Sequence, residues 1–370
     1  MKRRSFLQRA TGAVAAATAA ASFPKPAISQ GLMEWTMVTT WPMNFPGLGT
    51  GANLLADFIT RGSGGRLTVK VRGAGEIVPA FEAMDAVSGG TVEMGHGAPY
   101  YWKGKVPATQ FIPSGPFGMT AQEFNAWIQY GGGQELADKV YDELGCKFFV
   151  SGNSGVQMGG WFNKEMNSLD DYQGLKMRIP GLGGEVVKAA GGNVVNLPGA
   201  EIQPALQSGA IDATEWVGPY NDLAFGLYKS AKFYYYPGWH EPATCFDNFI
   251  NIKKWEALPG DLKALIEDAN TAVNHLVLGE FVARNSTALL VLLTQHNVQL
   301  RRFSNEILSG LGELAGQVLN DLASRDRLSR EVFDSTLNFR KDAIAWSKTS
   351  EQAYLAARGL PFKYAEPSTG

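Results

Sequence analysis

Short apolar strands alternate with helices through the first half of the chain, and helical periodicity takes over after residue 258. A length of 370 residues at 45% hydrophobic content is enough for two cores. Together these predict an α/β protein of two domains built on mainly parallel sheets covered by helices. The 43 glycines predict many tight turns or close backbone approaches.

The first element is a targeting segment. Lys2-Arg3-Arg4-Ser5-Phe6-Leu7-Gln8 is a twin-arginine n-region, the alanine-rich run from Ala10 to Ala21 follows, and Ala27-Ile28-Ser29 is a small-x-small cleavage site. The apolar run is too short to span a bilayer, and no later run reaches about 18 apolar residues without a charge. Residues 1–29 therefore read as a signal peptide for export to the periplasm. Their loss removes Lys2, Arg3, Arg4, Arg9 and Lys25 and no acid, which takes the formal charge from −2 to −7. An acidic mature chain argues against a nucleic-acid partner.

Residues 30–150 form the first expected domain. Glu34 to Thr40 alternates as a strand, and the turn from Pro42 to Gly47 leads to a helix over Thr50 to Thr60. Leu67 to Val71 is a strand, Phe81 to Ser88 a short helix, and Thr91 to Gly95 another strand. Thr120 to Leu144 reads as one helix, opened by a Thr120/Glu123 capping box, and Lys147 to Val150 as a strand. The second domain, 151–255, carries strands over Val156 to Phe162, Leu175 to Ile179, Val194-Val195, Phe233 to Tyr236 and Phe249 to Ile252. Residues 256–328 are helical, starting at Pro259-Gly260-Asp261, with apolar stripes that suit a core. Residues 329–370 hold a last helix, Ser329 to Arg358, and a tail. Its apolar side, including Phe333, Leu337, Trp346, Tyr354 and Leu355, either packs on its own chain or meets a second subunit.

The chemistry concentrates between Gly174 and Pro219. Arg178, in Met177-Arg178-Ile179-Pro180-Gly181, ends a strand. Its planar fork matches a carboxylate, and ligands of α/β sheets lie outside strand ends; a plain surface arginine is the alternative. Glu215-Trp216 ends a second strand. A carboxylate there needs a partner, either Arg178 in a structural ion pair or a cation lying between Glu215 and a bound carboxylate. A set of oxygen donors suits a hard ion such as sodium or calcium, with Gln157 and Glu241 as candidate further donors. Tyr100-Tyr101-Trp102 either wall a pocket or pack a domain interface.

Other signals carry less. Gly47-Leu48-Gly49-Thr50-Gly51 lacks the spacing of a nucleotide loop. His96, His240, His275 and His296 show no metal-ligand spacing. No Gly-x-Ser-x-Gly elbow is present, so enzyme chemistry is not supported. Cys146 and Cys245 either pair or stay as buried thiols.

The exported N-terminus, Gly174-Leu175-Lys176-Met177-Arg178-Ile179-Pro180-Gly181, the run from Pro198 through Glu201, Ala205-Leu206 and Gly209 to Ile211-Asp212-Ala213, and Glu215-Trp216 together resemble the solute receptors of TRAP transporters, the DctP family. The likeness spans essentially the whole mature chain and is most specific in its central motif. Asp212-Ala213-Thr214-Glu215-Trp216-Val217-Gly218-Pro219, with Tyr100-Tyr101 upstream, is most similar to the branch that binds 2-oxo acids such as pyruvate, or lactate, with a metal ion.

The resemblance implies a two-domain periplasmic binding protein with a hinge cleft, a long connecting helix and an extra C-terminal helix. It implies that Arg178 holds the ligand carboxylate, and that Gln157, Glu215, the Trp216 backbone carbonyl and Glu241 lie around the metal and ligand; on charge count one carboxylate at the ion favours sodium, and two would suit calcium. Tyr100, Tyr101 and Trp216 would complete the solute site. It also implies a homodimer through the C-terminal helix, and partnership with the small and large TRAP membrane subunits.

Overall fold

The computed structural model describes residues 31–365, so the export segment expected over 1–29 and the last residues of the tail lie outside it. In chain order the strands are β1 Met33–Thr39, β2 Leu67–Arg72, β3 Met94–Gly97, β4 Cys146–Asn153, β5 Gly160–Phe162, β6 Lys176–Arg178, β7 Asn193–Val195, β8 Ala213–Thr214, β9 Phe233–Tyr236, β10 Cys245–Asn251 and β11 Gln299–Arg302. One sheet has the order β2-β1-β3-β10-β4, the other β11-β9-β5-β8-β6-β7.

The sheets are mixed, not mainly parallel. β1 runs parallel to β3, and β6 parallel to β7 and β8. β10, however, is antiparallel to β3 and β4, and β5 is antiparallel to β8 and β9. The cause lies in how the chain passes between sheets. It leaves β4 for β5 through Ser154–Gly159 and returns from β9 to β10 through Pro237–Thr244. These two crossings lie side by side, with Ser154 N donating to Thr244 O (3.0 Å), Gly238 N to Gln157 O (2.9 Å) and Gly159 N to Tyr235 O (2.7 Å). The antiparallel β4/β10 ladder thus runs on as a two-stranded ribbon into the β5/β9 ladder. This is why Val156–Phe162 is a strand only from Gly160. The ribbon leaves no room for a side chain at Gly238, where a Cβ would collide with the Gln157 carbonyl.

The helices follow the periodicity with two breaks. The segment expected as one helix over Thr120–Leu144 is two, Ala121–Tyr130 and Gly133–Asp142, split where Gly132 takes φ +79°. The Thr120/Glu123 capping box forms as expected. The last helix also divides, into Arg327–Ser347 and Glu351–Arg358. Its first turns bury Leu328, Val332 and Phe333, while Trp346, Tyr354, Leu355, Phe362 and Tyr364 are exposed. The short strand β11 was not foreseen, since Gln299-Leu300-Arg301-Arg302 has one apolar residue to signal it.

Helix Gly260–Gln295 is long and apolar enough to cross a membrane by length and composition. Here it packs on β4 and helix Gly49–Gly62 and on helix Pro219–Phe225, which follows β8. It therefore reaches elements attached to both sheets, and Glu280 in its middle accepts a hydrogen bond from the Tyr220 hydroxyl (2.8 Å). The two cysteines are free and buried. They occupy opposite ends of the β4/β10 pair, Cys146 facing Asn251 and Cys245 facing Asn153, which is out of bridging range.

Candidate functional site

Strand pairing brings the central residues together. β6 and β8 run parallel with Arg178 opposite Thr214, so the next residue after β8, Glu215, emerges beside the guanidinium. Glu215 N donates to Arg178 O at 3.2 Å and fixes that register. Arg178 is buried and points inward. Its Nε donates to Leu197 O (3.1 Å), and its Nη1 to Glu215 O (3.2 Å) and to Glu215 Oε1. The guanidinium carbon lies 5.1 Å from the Trp216 ring, a cation–π contact. Burial disfavours the charged arginine, but the Glu215 carboxylate beside it prevails, and the balance strengthens its hold on the proton. The direct Arg178–Glu215 pair is the one the sequence raised as a structural alternative. It leaves Arg178 Nη2 without a hydrogen-bond partner.

The ribbon between the sheets supplies the opposite wall. Gln157 lies on one of its strands, His240 and Glu241 on the other, and Gln157 N donates to Glu241 O (3.3 Å). Glu241 Oε2 accepts from Gln157 Nε2 (2.8 Å), from the Thr244 hydroxyl, and more loosely from the Tyr100 hydroxyl (3.5 Å). Burial, and then the Glu215 charge, push the Glu241 carboxyl up to about 7. His240 Nε2 sits 3.2 Å from Glu215 Oε2. Donor atoms of Glu215, His240 and Glu241 all fall within 4.8 Å of one another. Gln157 Oε1 and His240 Nδ1 are buried without partners.

Tyr100 and Tyr101 follow β3 in a short turn, Pro99–Trp102, with their rings edge to face at 4.9 Å. They line one small cavity together with Gln157, Arg178, Trp216 and Trp41. It is small, with about 10 Å³ open to the centre of a water molecule, room for about one water. Phe45 stacks on Phe225 at 4.1 Å, and Asn221 Nδ2 donates to Pro46 O (2.9 Å); these contacts join the turn after β1 to the helix after β8. Lys103 and Glu185 add an ion pair at 2.7 Å between the segments following β3 and β6.

The residues assigned to the site from the sequence, Arg178, Gln157, Tyr100, Tyr101, Glu215, Trp216 and Glu241, fall in this one cluster, whereas Trp102 packs in the core and donates to Asp247 Oδ2 (2.8 Å). His240 was passed over because metal-ligand spacing was sought within one helix or turn. Its partner Glu215 lies on a different strand, and the available signal was its place next to Glu241. Thr244 and Trp41 carried no sequence signal.

A protein that gathers an arginine, carboxylates and aromatic rings between two linked α/β sheets is built to enclose a small anion. Comparison with known proteins agrees. Residues 37–326 match the family of bacterial extracellular solute-binding proteins, family 7, or DctP, and the chain belongs to that family. It is 41% identical over 362 residues to the monocarboxylate 2-oxoacid-binding periplasmic protein of Nostoc sp., covering 96% of this chain and 98% of that one. A TRAP periplasmic solute-binding protein from Pseudoalteromonas atlantica, crystallised with sodium and pyruvate, superposes with a TM-score of 0.86 at 38% identity, covering 89% of this chain and all of that one. A TRAP solute-binding protein from Bordetella bronchiseptica, a mixed-occupancy dimer with calcium and picolinate in one site, gives 0.86 at 34% identity over the same shares. The chain is thus an extracytoplasmic solute receptor of a TRAP transporter, and not an enzyme.

Proposed function

We propose that this receptor captures a small 2-oxo monocarboxylate such as pyruvate together with a metal cation, and delivers the solute to the TRAP membrane subunits. The observation that carries this is the buried charge inventory. Glu215 and Glu241 converge on one another, while Arg178 is the guanidinium among them and keeps one nitrogen unpartnered. Bringing a further carboxylate to Arg178 is unfavourable beside Glu215 unless positive charge is added.

In this reading Arg178 binds the solute carboxylate, and Tyr100, Tyr101 and the Trp216 ring wall its short carbon chain. The cation is held by the Glu215 carboxylate, the Gln157 amide oxygen, the Trp216 backbone carbonyl and Glu241. The unpartnered Gln157 Oε1 supports this donor set. The cation neutralises Glu215 against the incoming carboxylate and attracts the 2-oxo oxygen. Glu241 Oε2 is already occupied by neutral donors. That leaves Glu215 as the principal charged ligand, which suits sodium better than calcium.

Pyruvate titrated calorimetrically into the mature protein should bind in sodium chloride. In choline chloride the affinity should fall by roughly tenfold or more, within the usual range of coupled sites. Absence of heat in sodium, calcium and choline salts alike would sink the assignment. Lactate is the alternative solute and belongs in the same titration, with calcium chloride as the salt.

The same proposal takes the two sheets as the frames of two lobes. Residues 30–150 with the returning β10 form one and residues 151–255 the other, while the crossing ribbon acts as hinge and residues 256–328 bridge both. We also propose a homodimer through the C-terminal helix. Exposed Trp346, Tyr354, Leu355, Phe362 and Tyr364 form an apolar surface that a second copy would cover. A chain ending at Ser347 should sediment as a monomer where the full mature chain sediments as a dimer, and identical sedimentation of both refutes this.

A further inference from the structure

Asp222 has no place in the solute and cation contacts assigned above, yet it is buried directly behind them. It lies in helix Pro219–Phe225, and both of its oxygens are engaged. Oδ2 accepts from Trp161 Nε1 (2.9 Å) and from the Tyr234 hydroxyl (2.6 Å). Oδ1 accepts from the Val217 backbone N–H (3.3 Å). The two side-chain donors are braced as one unit, because β5/β9 pairing sets Trp161 opposite Tyr234 and their rings stack at 4.0 Å and 19°.

The Val217 N–H and the Trp216 carbonyl belong to one peptide group. In a trans peptide they point in opposite directions. Anchoring the N–H on Asp222 therefore turns the Trp216 oxygen to the opposite edge of that peptide. Among the described residues no hydrogen bond takes up this oxygen. Asp222 also lies within reach of the site's electrostatic field. Burial first, then the Glu215 charge among weaker influences, push its carboxyl up to about 6.

We propose that Asp222 is a positioning residue for the bound cation, aiming the Trp216 carbonyl and, by its charge behind the peptide, strengthening the field that oxygen presents. This rests on the reading above in which Trp216 O and Glu215 hold the cation. Partners behind a metal ligand raise its basicity, and their loss typically weakens metal binding about 10–100-fold. A purely structural role would weaken binding of all cations alike. A charge acts differently, because its interaction with the ion scales with the ion's own charge. Removing it costs a divalent ion twice the free energy it costs a monovalent one, so the calcium loss is the square of the sodium loss.

Asp222→Asn tests this by pyruvate titration in sodium chloride and in calcium chloride over a choline chloride background. A calcium-dependent affinity reduced about tenfold should be matched by a sodium-dependent one reduced only about threefold. Equal losses, or none, overturn the proposal. Tyr234→Phe gives an independent arm should the first variant fail to fold. It removes a donor that holds the Asp222 carboxylate in its charged form, so the margin of calcium over sodium should narrow, in the same direction as in Asp222→Asn, and an unchanged or wider margin overturns the proposal. If the unmodified protein binds pyruvate in choline as well as in either salt, the cation site itself is refuted before Asp222 is touched, and this proposal falls with it.

Discussion

Arg178→Ala should cost the receptor its solute. A charge-assisted bidentate contact to a carboxylate contributes roughly 1.5–3 kcal/mol, so pyruvate affinity should fall by tens-fold or more. The same change leaves Glu215 buried without its guanidinium, with His240 Nε2 still 3.2 Å away, and breaking a buried pair from one side typically destabilises by about 3–5 kcal/mol. Loss of binding in the alanine variant therefore needs a companion that keeps the charge. Arg178→Lys retains a cation near Glu215 but lacks the planar fork and the Nε that reaches Leu197 O. It should melt close to the unmodified protein and still bind pyruvate at least tens-fold more weakly. Calorimetry and thermal denaturation on both variants decide the matter. Full pyruvate affinity in the lysine variant would remove Arg178 from the solute site.

Glu215→Gln should uncouple the solute from the cation. The carboxamide keeps the shape and can still accept from Arg178, but it removes the negative charge that opposes a second carboxylate. Pyruvate binding in choline chloride should then approach that in sodium chloride, so a salt effect of roughly tenfold or more shrinks to about twofold or less. The two variants fail in different ways: without Arg178 the affinity goes, and without Glu215 the sodium dependence goes. A Glu215→Gln protein that keeps the full sodium dependence would move the cation site elsewhere.

Much of this site could be read from residue order because strand pairing does the assembling locally. Met177-Arg178 and Ala213-Thr214-Glu215 belong to neighbouring parallel strands, so two short patterns in sequence become one contact in space. The ribbon residues were legible as types but not as neighbours. Gln157 and Glu241 lie 84 positions apart and meet only because two crossings run antiparallel. His240 was missed for the same reason. Mixed sheets were also invisible: alternation of strand and helix reports element type, while the direction of β10 is set by where the chain has been since β4. The split at Gly132 was signalled by three consecutive glycines, Gly131 to Gly133, and apolar periodicity on either side outweighed them in the prediction.

The stacked Phe45–Phe225 pair packs edge-on against Trp216, which lines a cavity with almost no free space, and the Asn221–Pro46 hydrogen bond ties the same two segments together. A solute enclosed in that cavity leaves when the segments around it part. A solute that grips both walls holds these segments together, so its residence time lengthens as its affinity rises.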